Sequence, residues 1–202
     1  RINSKLLEIS ILFNRTKENE KMNKHLEDIE TTTLHMANTI ENFRTFFHPN
    51  KEKNNFDIKQ TIEKSISLLN FDDTNIDIII DIKDSVKICS YENELIQVLM
   101  ILISNAKEAL DDKDVISPFI SISVVDKIST IEIIVIDNAG GIKDEILKEI
   151  FNPYFSTKEM RDNSGLGLYI AKMIVETSMK GKITYKKENE KSNFCIVLKE
   201  LK

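Results

Sequence analysis

Glycine and proline are scarce in this chain of 202 residues, which contains five glycines and three prolines. Neither of them occurs before Pro49. Because both residues interrupt regular helices, their absence is compatible with long, unbroken helices at the start of the chain. Where glycine does occur, it indicates a turn that needs a positive φ or a backbone that another group approaches closely.

Cysteine is limited to Cys89 and Cys195, which are far apart in apolar, strand-like surroundings. They are interpreted as buried, reduced thiols of a cytosolic protein and not as a disulfide framework, although a pairing of the two stays open. No apolar run is long enough to span a bilayer and there is no signal peptide, so we expect a soluble, cytoplasmic chain. It begins at Arg1 without methionine, which indicates a fragment whose membrane anchor, if it has one, lies upstream.

The chain also lacks a basic patch. Its formal net charge is −5 and its pI is about 5.4, and its cations are interleaved with Asp and Glu. Because phosphate contacts need clustered Lys and Arg, this pattern argues against a nucleic-acid partner. The apolar fraction of 41% permits a proper core.

The first 49 residues carry a helical pattern. Apolar residues recur in steps of three and four, first at Ile2, Leu6, Ile9 and Phe13, and then at Met22, Leu26, Ile29, Met36, Ile40, Phe43 and Phe47, where only Thr33 interrupts the stripe. Such a narrow stripe is typical of paired helices. With a turn at residues 14–21, it predicts an antiparallel hairpin that forms a four-helix bundle in a homodimer. One continuous helix, or amphipathic helices docked on the main domain, are the alternatives.

Beyond Pro49 and a charged linker at residues 50–55, helices and strands alternate over residues 56–202. Apolar spacing predicts helices at residues 58–69, 91–110, 143–151 and 165–179. It predicts strands at residues 76–82, 86–89, 119–125, 130–136, 182–185 and 194–198. Helices on one face of a mainly antiparallel sheet form a two-layer sandwich, so the fold class is α+β.

Four clusters in this second region carry the chemistry. They are Ser104-Asn105-Ala106-Lys107-Glu108-Ala109, then Asp137-Asn138-Ala139-Gly140-Gly141, then residues 151–158, and finally Ser164-Gly165-Leu166-Gly167-Leu168. The region resembles the catalytic domain of bacterial sensor histidine kinases, within the superfamily that includes DNA gyrase, Hsp90 and MutL. The clusters are similar to that family's N, G1, F and G2 boxes, in the family's order.

The resemblance implies ATP and Mg²⁺ as cofactors. It makes Asn105 the Mg²⁺ ligand, in keeping with the preference of this ion for hard oxygen ligands. It brings Lys107 and Lys158 to the phosphates and places Glu108 near the attacking group. Ile101 departs from the family, in which many members have a second Asn at that position.

The resemblance also implies that Asp137 accepts a hydrogen bond from the adenine amine, with Gly141 and Ile142 beside the purine. A hairpin turn with an Asx contact would explain Asp137 and its glycines alone. Gly165, Leu166, Gly167 and Leu168 would bind the triphosphate at the start of a helix. The polar residues 152–164 would be the ATP lid, with Asn163 where the family more often has glycine.

The phosphoacceptor histidine of the family opens an H box in the first dimerisation helix. The residues from Arg1 to Leu6 fit the rest of that box, with Lys5 in place of proline, if a histidine directly precedes Arg1. His25 is the alternative acceptor within the chain. Its spacing to Asn105 is short for the family, and His35 and His48 are weaker candidates.

The resemblance implies a dimeric protein-histidine kinase that phosphorylates itself and passes the phosphoryl group to an aspartate of a response regulator. Two alternatives stay open. One is a nucleotide-binding, dimerising regulatory module with weak transfer activity or none. The other is an ATPase of the gyrase or MutL type.

Overall fold

The computed structural model describes residues 21–22, 25, 52–69, 71, 74–82, 85–113, 115–157 and 165–199. Most of the predicted hairpin at residues 1–49 therefore lies outside the described residues, as do His35 and His48. Lys21, Met22 and His25 are helical and exposed. In the part of the chain that the structure describes, no helix has the length and apolarity needed to cross a membrane.

The elements follow one another from Asn54 to Lys199. In chain order they are β1 (Asn54–Asp57), α1 (Ile58–Leu69), β2 (Asp77–Asp81), β3 (Lys87–Ser90), α2 (Glu92–Asp112), β4 (Phe119–Asp126), β5 (Thr130–Asp137), a 3₁₀ turn (Asp144–Ile146), α3 (Gly167–Met173), a π-helical turn (Ile174–Ser178), β6 (Lys182–Glu188) and β7 (Lys191–Lys199). This is a mixed α+β fold.

The main sheet has five strands in the order β2-β4-β5-β7-β6. Only β2 and β4 run parallel among its strand pairs, and the other three pairings are antiparallel. A second, two-stranded sheet pairs β1 with β3. The prediction of a mainly antiparallel sheet is confirmed.

One face of the sheet is buried, and the neighbouring strands β5 and β7 alternate strictly between this face and the other. In β5, the side chains of Ile131, Ile133, Val135 and Asp137 point to the buried face, and the residues between them are half-buried. The same alternation therefore carries one carboxylate into a row of aliphatic side chains. The partners of this row on β7 are Leu198, Ile196, Phe194 and Ser192.

Helix α2 covers that face and contacts β4 and β5. Its apolar residues recur at helical spacing, and Leu95, Val98, Leu99, Leu102, Ile103, Ala106 and Leu110 are buried. Two acidic residues, Glu92 and Glu94, lie in its first turn, where they complement the positive end of the helix dipole. Helices α1 and α3 pack against α2.

Strand β1 was not predicted, and it occupies Asn54 and Asn55 of the predicted linker. Its two asparagines and its aspartate have low strand propensity. The strand therefore forms because it pairs with β3, and its local sequence does not favour it. Asp57 then begins α1, because its Oδ1 accepts the backbone N–H groups of Lys59 at 2.8 Å and Gln60 at 3.3 Å.

The predicted helix at residues 143–151 is wrong beyond its first turn. Only Asp144–Ile146 is helical, as a 3₁₀ turn, and residues 147–151 form further turns. Bonds three residues apart recur here, from Glu149 N–H to Ile146 O at 2.9 Å and from Asn152 N–H to Glu149 O at 2.8 Å. Each closes a single turn, so the apolar spacing that resembled a helix belongs to a string of turns.

Both cysteines are free thiols, as predicted, but only one of them avoids solvent. Cys89 is exposed, because it occupies an outward position of the short strand β3. Cys195 is half-buried, and burial is the main cause that raises the pKa of its thiol. The prediction of a buried thiol is therefore wrong for Cys89.

Candidate nucleotide-binding site

Asp137 ends β5 with its carboxyl group turned into the core, where the residue is 3% exposed. Its Oδ1 accepts the backbone N–H of Ala139 at 3.0 Å, and the side chain of Ser192 forms a hydrogen bond with it. Burial raises the pKa of the carboxyl group, whereas these two hydrogen bonds and the charge of Lys113 oppose the rise. The free oxygen lone pairs of this buried acceptor are suited to a neutral donor such as an amine.

Residues 137–142, here called the glycine turn, follow directly. Gly140 and Gly141 have φ of +83° and +72°, a region that other residues avoid. A Cβ on Gly141 would lie 2.9 Å from Cγ of Lys187 and 3.1 Å from the hydroxyl of Tyr185. The Asx contact weighed from the sequence is present, and it coexists with a backbone conformation that favours glycine.

Three further hydrogen bonds connect the glycine turn to its neighbours. The Oδ1 of Asn138 accepts the N–H of Phe119 at 2.9 Å, and its Nδ2 donates to Ser117 O at 3.0 Å. On the other side, the hydroxyl of Tyr185 accepts the N–H of Ile142 at 2.7 Å. The turn is thus linked to the start of β4 and to the edge strand β6.

One face of α2 brings the first cluster, from Ser104 to Ala109, to the site. A Cβ on Gly167 would lie 3.4 Å from Cγ2 of Ile101, so the start of α3 rests on that face. Asn105 and Glu108 follow Ile101 at four and seven residues, and therefore share its face. Glu108 also accepts a hydrogen bond from the hydroxyl of Ser104 at 3.3 Å.

Lys107 points elsewhere. Its Nζ lies 5.0 Å from the centroid of the Phe71 ring, beyond the end of α1. Residues two apart on a helix do not share a face, so the position of Lys107 differs from that of Asn105 by more than half a turn. In this conformation, the Lys107 ammonium lies over the Phe71 ring.

The third and fourth clusters meet at Gly165. With φ of +64°, this glycine packs so closely that a Cβ would lie 2.6 Å from the carbonyl carbon of Tyr154 and 2.9 Å from Phe155 N. Tyr154 itself has a φ of +64° and is exposed. Residues 158–164, which include Lys158 and Asn163, lie outside the described residues.

Three aromatic rings that contact one another, here called the aromatic column, support these clusters; they belong to Phe151, Tyr185 and Phe194. The ring of Phe194 is edge-on to Phe151 at 6.5 Å between centroids and tilted against Tyr185 at 4.9 Å. Nζ of Lys172, on α3, lies 5.5 Å from the centroid of Phe151. The column joins the glycine turn to the base of the predicted lid.

Sequence reasoning missed Lys113, Tyr185 and Ser192. The alternation of β7 provides a signal for Ser192, since it places this serine in the same inward row as Phe194. No such signal exists for Lys113 or Tyr185, because an exposed lysine at a helix end and a tyrosine in an edge strand are common.

The described residues hold no group of three or more His, Cys, Asp and Glu side chains that could form a metal cage. A magnesium ion bound with its substrate does not need one, because it keeps several waters and takes other ligands from phosphates. The half-buried amide of Asn105 offers a neutral oxygen of the type that this ion accepts. The residues present therefore fit Mg²⁺ held mainly by nucleotide and water.

Residues 90–202 match the family described as histidine kinase-, DNA gyrase B-, and HSP90-like ATPase. Sensor protein TdiS of Thauera aromatica is 30% identical over 145 residues, which are 67% of this chain and 25% of that protein. The sensory histidine kinase/phosphatase NtrB of Rhizobium meliloti is 35% identical over 95 residues, 41% of this chain and 24% of that protein. The chain thus spans about a quarter of the length of these relatives.

Solved structures give the same picture of the fold. The catalytic domain of histidine kinase ThkA superposes with a TM-score of 0.66 at 25% identity, covering 74% of this chain and 96% of that one. ThkA in complex with response regulator protein TrrA gives 0.65 at 22% identity, covering 84% of this chain and 49% of that one.

Proposed function

Because the chain belongs to the family of histidine kinase-, DNA gyrase B- and HSP90-like ATPases, we propose that it binds Mg²⁺-ATP and acts as a protein-histidine kinase. It would transfer the γ-phosphoryl group to a histidine of its own dimeric protein. From there, the group would pass to an aspartate of a response regulator. The kinases among its relatives and the ThkA complex with TrrA support this reading.

The convergence of separate clusters carries the proposal. Gly165 packs on Tyr154 and Phe155, and Gly167 packs on Ile101 of the helix that carries Asn105. Helix α2 also contacts β5, which ends in the buried Asp137. A hairpin turn alone would not bring these segments of the chain around one side of α2.

In the proposed site, Asp137 accepts the exocyclic amine of adenine, and Gly141 and Ile142 line the purine. The backbone from Gly165 to Leu168 approaches the phosphates, where glycine allows close contact. Asn105 would hold Mg²⁺, which supplies charge neutralisation between the phosphates when it is bound. Glu108, on the same helix face, would lie nearest to the attacking group.

Two lysines have conditional roles in this proposal. Lys107 reaches a phosphate only if its side chain leaves the Phe71 ring, a change that its flexible stem permits. Lys158 would act from the lid. Phosphoryl transfer in such a site depends mostly on positioning and charge neutralisation, so each lysine would contribute as a point charge.

The remaining parts of the proposal concern the whole protein. Residues 1–49 would form the dimerisation hairpin, residues 50–55 the linker, and residues 56–202 the catalytic domain. The acceptor histidine would directly precede Arg1. The domain would work in the cytoplasm, and any contact with a membrane would come from upstream segments.

Autophosphorylation of a chain extended upstream of Arg1 tests the proposal. With γ-labelled ATP and Mg²⁺, we expect label that is stable to alkali and labile to acid, as phosphohistidine is. Changing the added histidine to glutamine should abolish the label and leave ATP binding unchanged, and His25→Gln should leave the label in place. Steady release of phosphate without a labelled protein would instead assign the ATPase alternative and would refute the kinase.

A further inference from the structure

One peptide group in the glycine turn is held at both of its polar ends. The N–H of Ile142 donates to the Tyr185 hydroxyl at 2.7 Å, and the carbonyl of Gly141 accepts from Nζ of Lys113 at 3.5 Å. These two groups belong to the same peptide plane. Lys113 also donates to the carbonyl of Ala139 in a short hydrogen bond.

This double hold matters because one side of the plane has no side chain to oppose its rotation. A peptide group is rigid, so its N–H and C=O turn together about the flanking bonds, through ψ of Gly141 and φ of Ile142. Gly141 has no Cβ and restricts its side of this rotation less than another residue would. Fixing both ends selects one orientation, and the neighbouring Ala139 N–H, which binds Asp137, is held in the same turn.

Both holding residues are themselves supported by regular elements. Tyr185 lies in β6, where its ring packs on Phe194 at 4.9 Å between centroids. Lys113 directly follows α2, the helix that carries Asn105. The end of α2 therefore fixes one side of this peptide through Lys113, and the sheet edge fixes the other side through Tyr185.

We propose that Lys113 and Tyr185 are positioning residues that jointly fix the Gly141–Ile142 peptide and thereby set nucleotide affinity. The inference rests on the proposed nucleotide site and adds two residues outside its four clusters. Neither residue touches reacting atoms. They act by keeping the turn in its binding-competent form before nucleotide arrives, since apparent affinity scales with the fraction of molecules in that form.

The test uses Tyr185→Phe and Lys113→Met, which remove the hydroxyl and the ammonium and keep most of the packing. Each should raise the dissociation constant of the chain for an ATP analogue by about three- to tenfold, the effect of one hydrogen bond. The double variant should be about as weak as a single one, because releasing one end already frees the plane. Lys113→Arg should bind nearly as well as wild type.

The matched controls make the same chemical changes away from the turn. Tyr91→Phe alters a half-buried tyrosine at the start of α2, and Lys127→Met removes a lysine that pairs with Glu132 at 2.5 Å. Neither should change the dissociation constant. Hydrogen exchange at the Ile142 amide should speed up in Tyr185→Phe and in Lys113→Met, with the melting temperature of both variants close to wild type.

Every result of these measurements either supports or overturns the inference about Lys113 and Tyr185. If wild type binds nucleotide and both single variants bind as tightly, the inference is overturned and the nucleotide site stands. Multiplicative effects in the double variant, or weaker binding without faster exchange at Ile142, also overturn it, because the two residues then do not act through one peptide. If wild type binds no nucleotide, the proposed function and the inference fall together.

Discussion

The surroundings of Asp137 disfavour its ionised form. The carboxyl is almost fully buried, and burial is the largest cause of its raised pKa. Burying this carboxyl lowers the stability of the unliganded protein, so we expect its role to lie in ligand binding. The proposed amine donor of adenine would compensate that cost, so ligand affinity and native stability should respond to this side chain in opposite directions.

Asp137→Asn tests this opposition. Asparagine keeps an acceptor for Ala139 N–H but presents a donor to the adenine amine, so ATP affinity should fall roughly ten- to hundredfold, the cost of a hydrogen bond to a charged group. The unliganded variant should be at least as stable as wild type at neutral pH. Titration calorimetry and urea unfolding measure the two effects.

The pH dependence of that stability has a fixed sign. The native carboxyl has a raised pKa, so between the unfolded and the folded pKa the native state binds more protons than the unfolded chain does. Wild type should therefore lose stability relative to Asp137→Asn as pH rises through the folded pKa. A constant difference between the two proteins across that range would contradict the assignment.

The pKa of Asp57 is shifted in the opposite direction to that of Asp137. Its carboxylate accepts the hydroxyl of Ser85, the first cause of its lowered pKa, and caps α1 through Lys59 and Gln60. Asp57→Ala should cost about 1 kcal/mol of unfolding free energy, as the loss of an N-cap does. The cost is fully present above the unfolded pKa and disappears as pH falls through the folded one. Urea unfolding at neutral and acidic pH measures it, with Asp77→Ala, at an exposed strand position, as the control.

At this scale, residue type and position in the chain predicted the burial of Asp137 and the positive φ of Gly140, Gly141 and Gly165. Their part in nucleotide binding stays a prediction. A carboxylate at the end of a β-branched run is costly unless it is used, and scarce glycines mark backbone constraints. The same reasoning did not orient Lys107. The direction of a long side chain depends on neighbours such as Phe71, which the one-dimensional pattern does not contain.

Only Leu166 separates Gly165 from Gly167, yet the two glycines pack against different parts of the fold. Gly165 packs against the backbone of Tyr154 and Phe155 at positive φ, whereas Gly167 begins α3. The first packs at the base of the predicted lid. The second allows α3 to approach Ile101.

Gly165→Ala should lower the unfolding free energy by roughly 1–3 kcal/mol, since a Cβ would clash with backbone and alanine disfavours this φ. Gly167→Ala should cost little or stabilise the fold, because its Cβ would make an ordinary contact at 3.4 Å and alanine favours helix. Thermal unfolding of the two variants compares them directly. Equal destabilisation by both would show that the close packing at Gly165 is not the cause.

Elements with strong periodicity were predicted to within a few residues, and those held by distant partners were not. Strand β5 and helix α2 have clear periods of two and 3.6 residues and long apolar runs. Strand β1 depends on β3 for its existence, and the π turn at Ile174–Ser178 interrupts a helix that was predicted as continuous. Tertiary packing decides such features, and local propensity does not reveal them.

For the whole molecule, nucleotide should act as a stabiliser. At a free ATP concentration one hundred times the dissociation constant, with Mg²⁺, the native state gains about 2.7 kcal/mol, or roughly 5–10 °C in melting temperature. Chelating Mg²⁺ should reduce the shift, because the phosphates then lose charge neutralisation. Asp137→Asn at the same ATP concentration should gain only about 0.4–1.4 kcal/mol, because its dissociation constant is roughly ten- to hundredfold higher. A full shift in that variant would contradict the placement of adenine.

The hold on the Gly141–Ile142 peptide also bears on the order in which the protein is made. Lys113 precedes Gly141 by 28 positions, whereas Tyr185 follows Ile142 by 43 positions. A chain leaves the ribosome from its N-terminus. Asn105 and Asp137 therefore emerge well before β6, the strand whose Tyr185 holds the glycine turn. In the proposed site, a nascent chain that ends before Tyr185 would carry Asn105 and Asp137 and would still bind nucleotide weakly. The first tight binding of ATP would come only when synthesis of this domain is nearly complete.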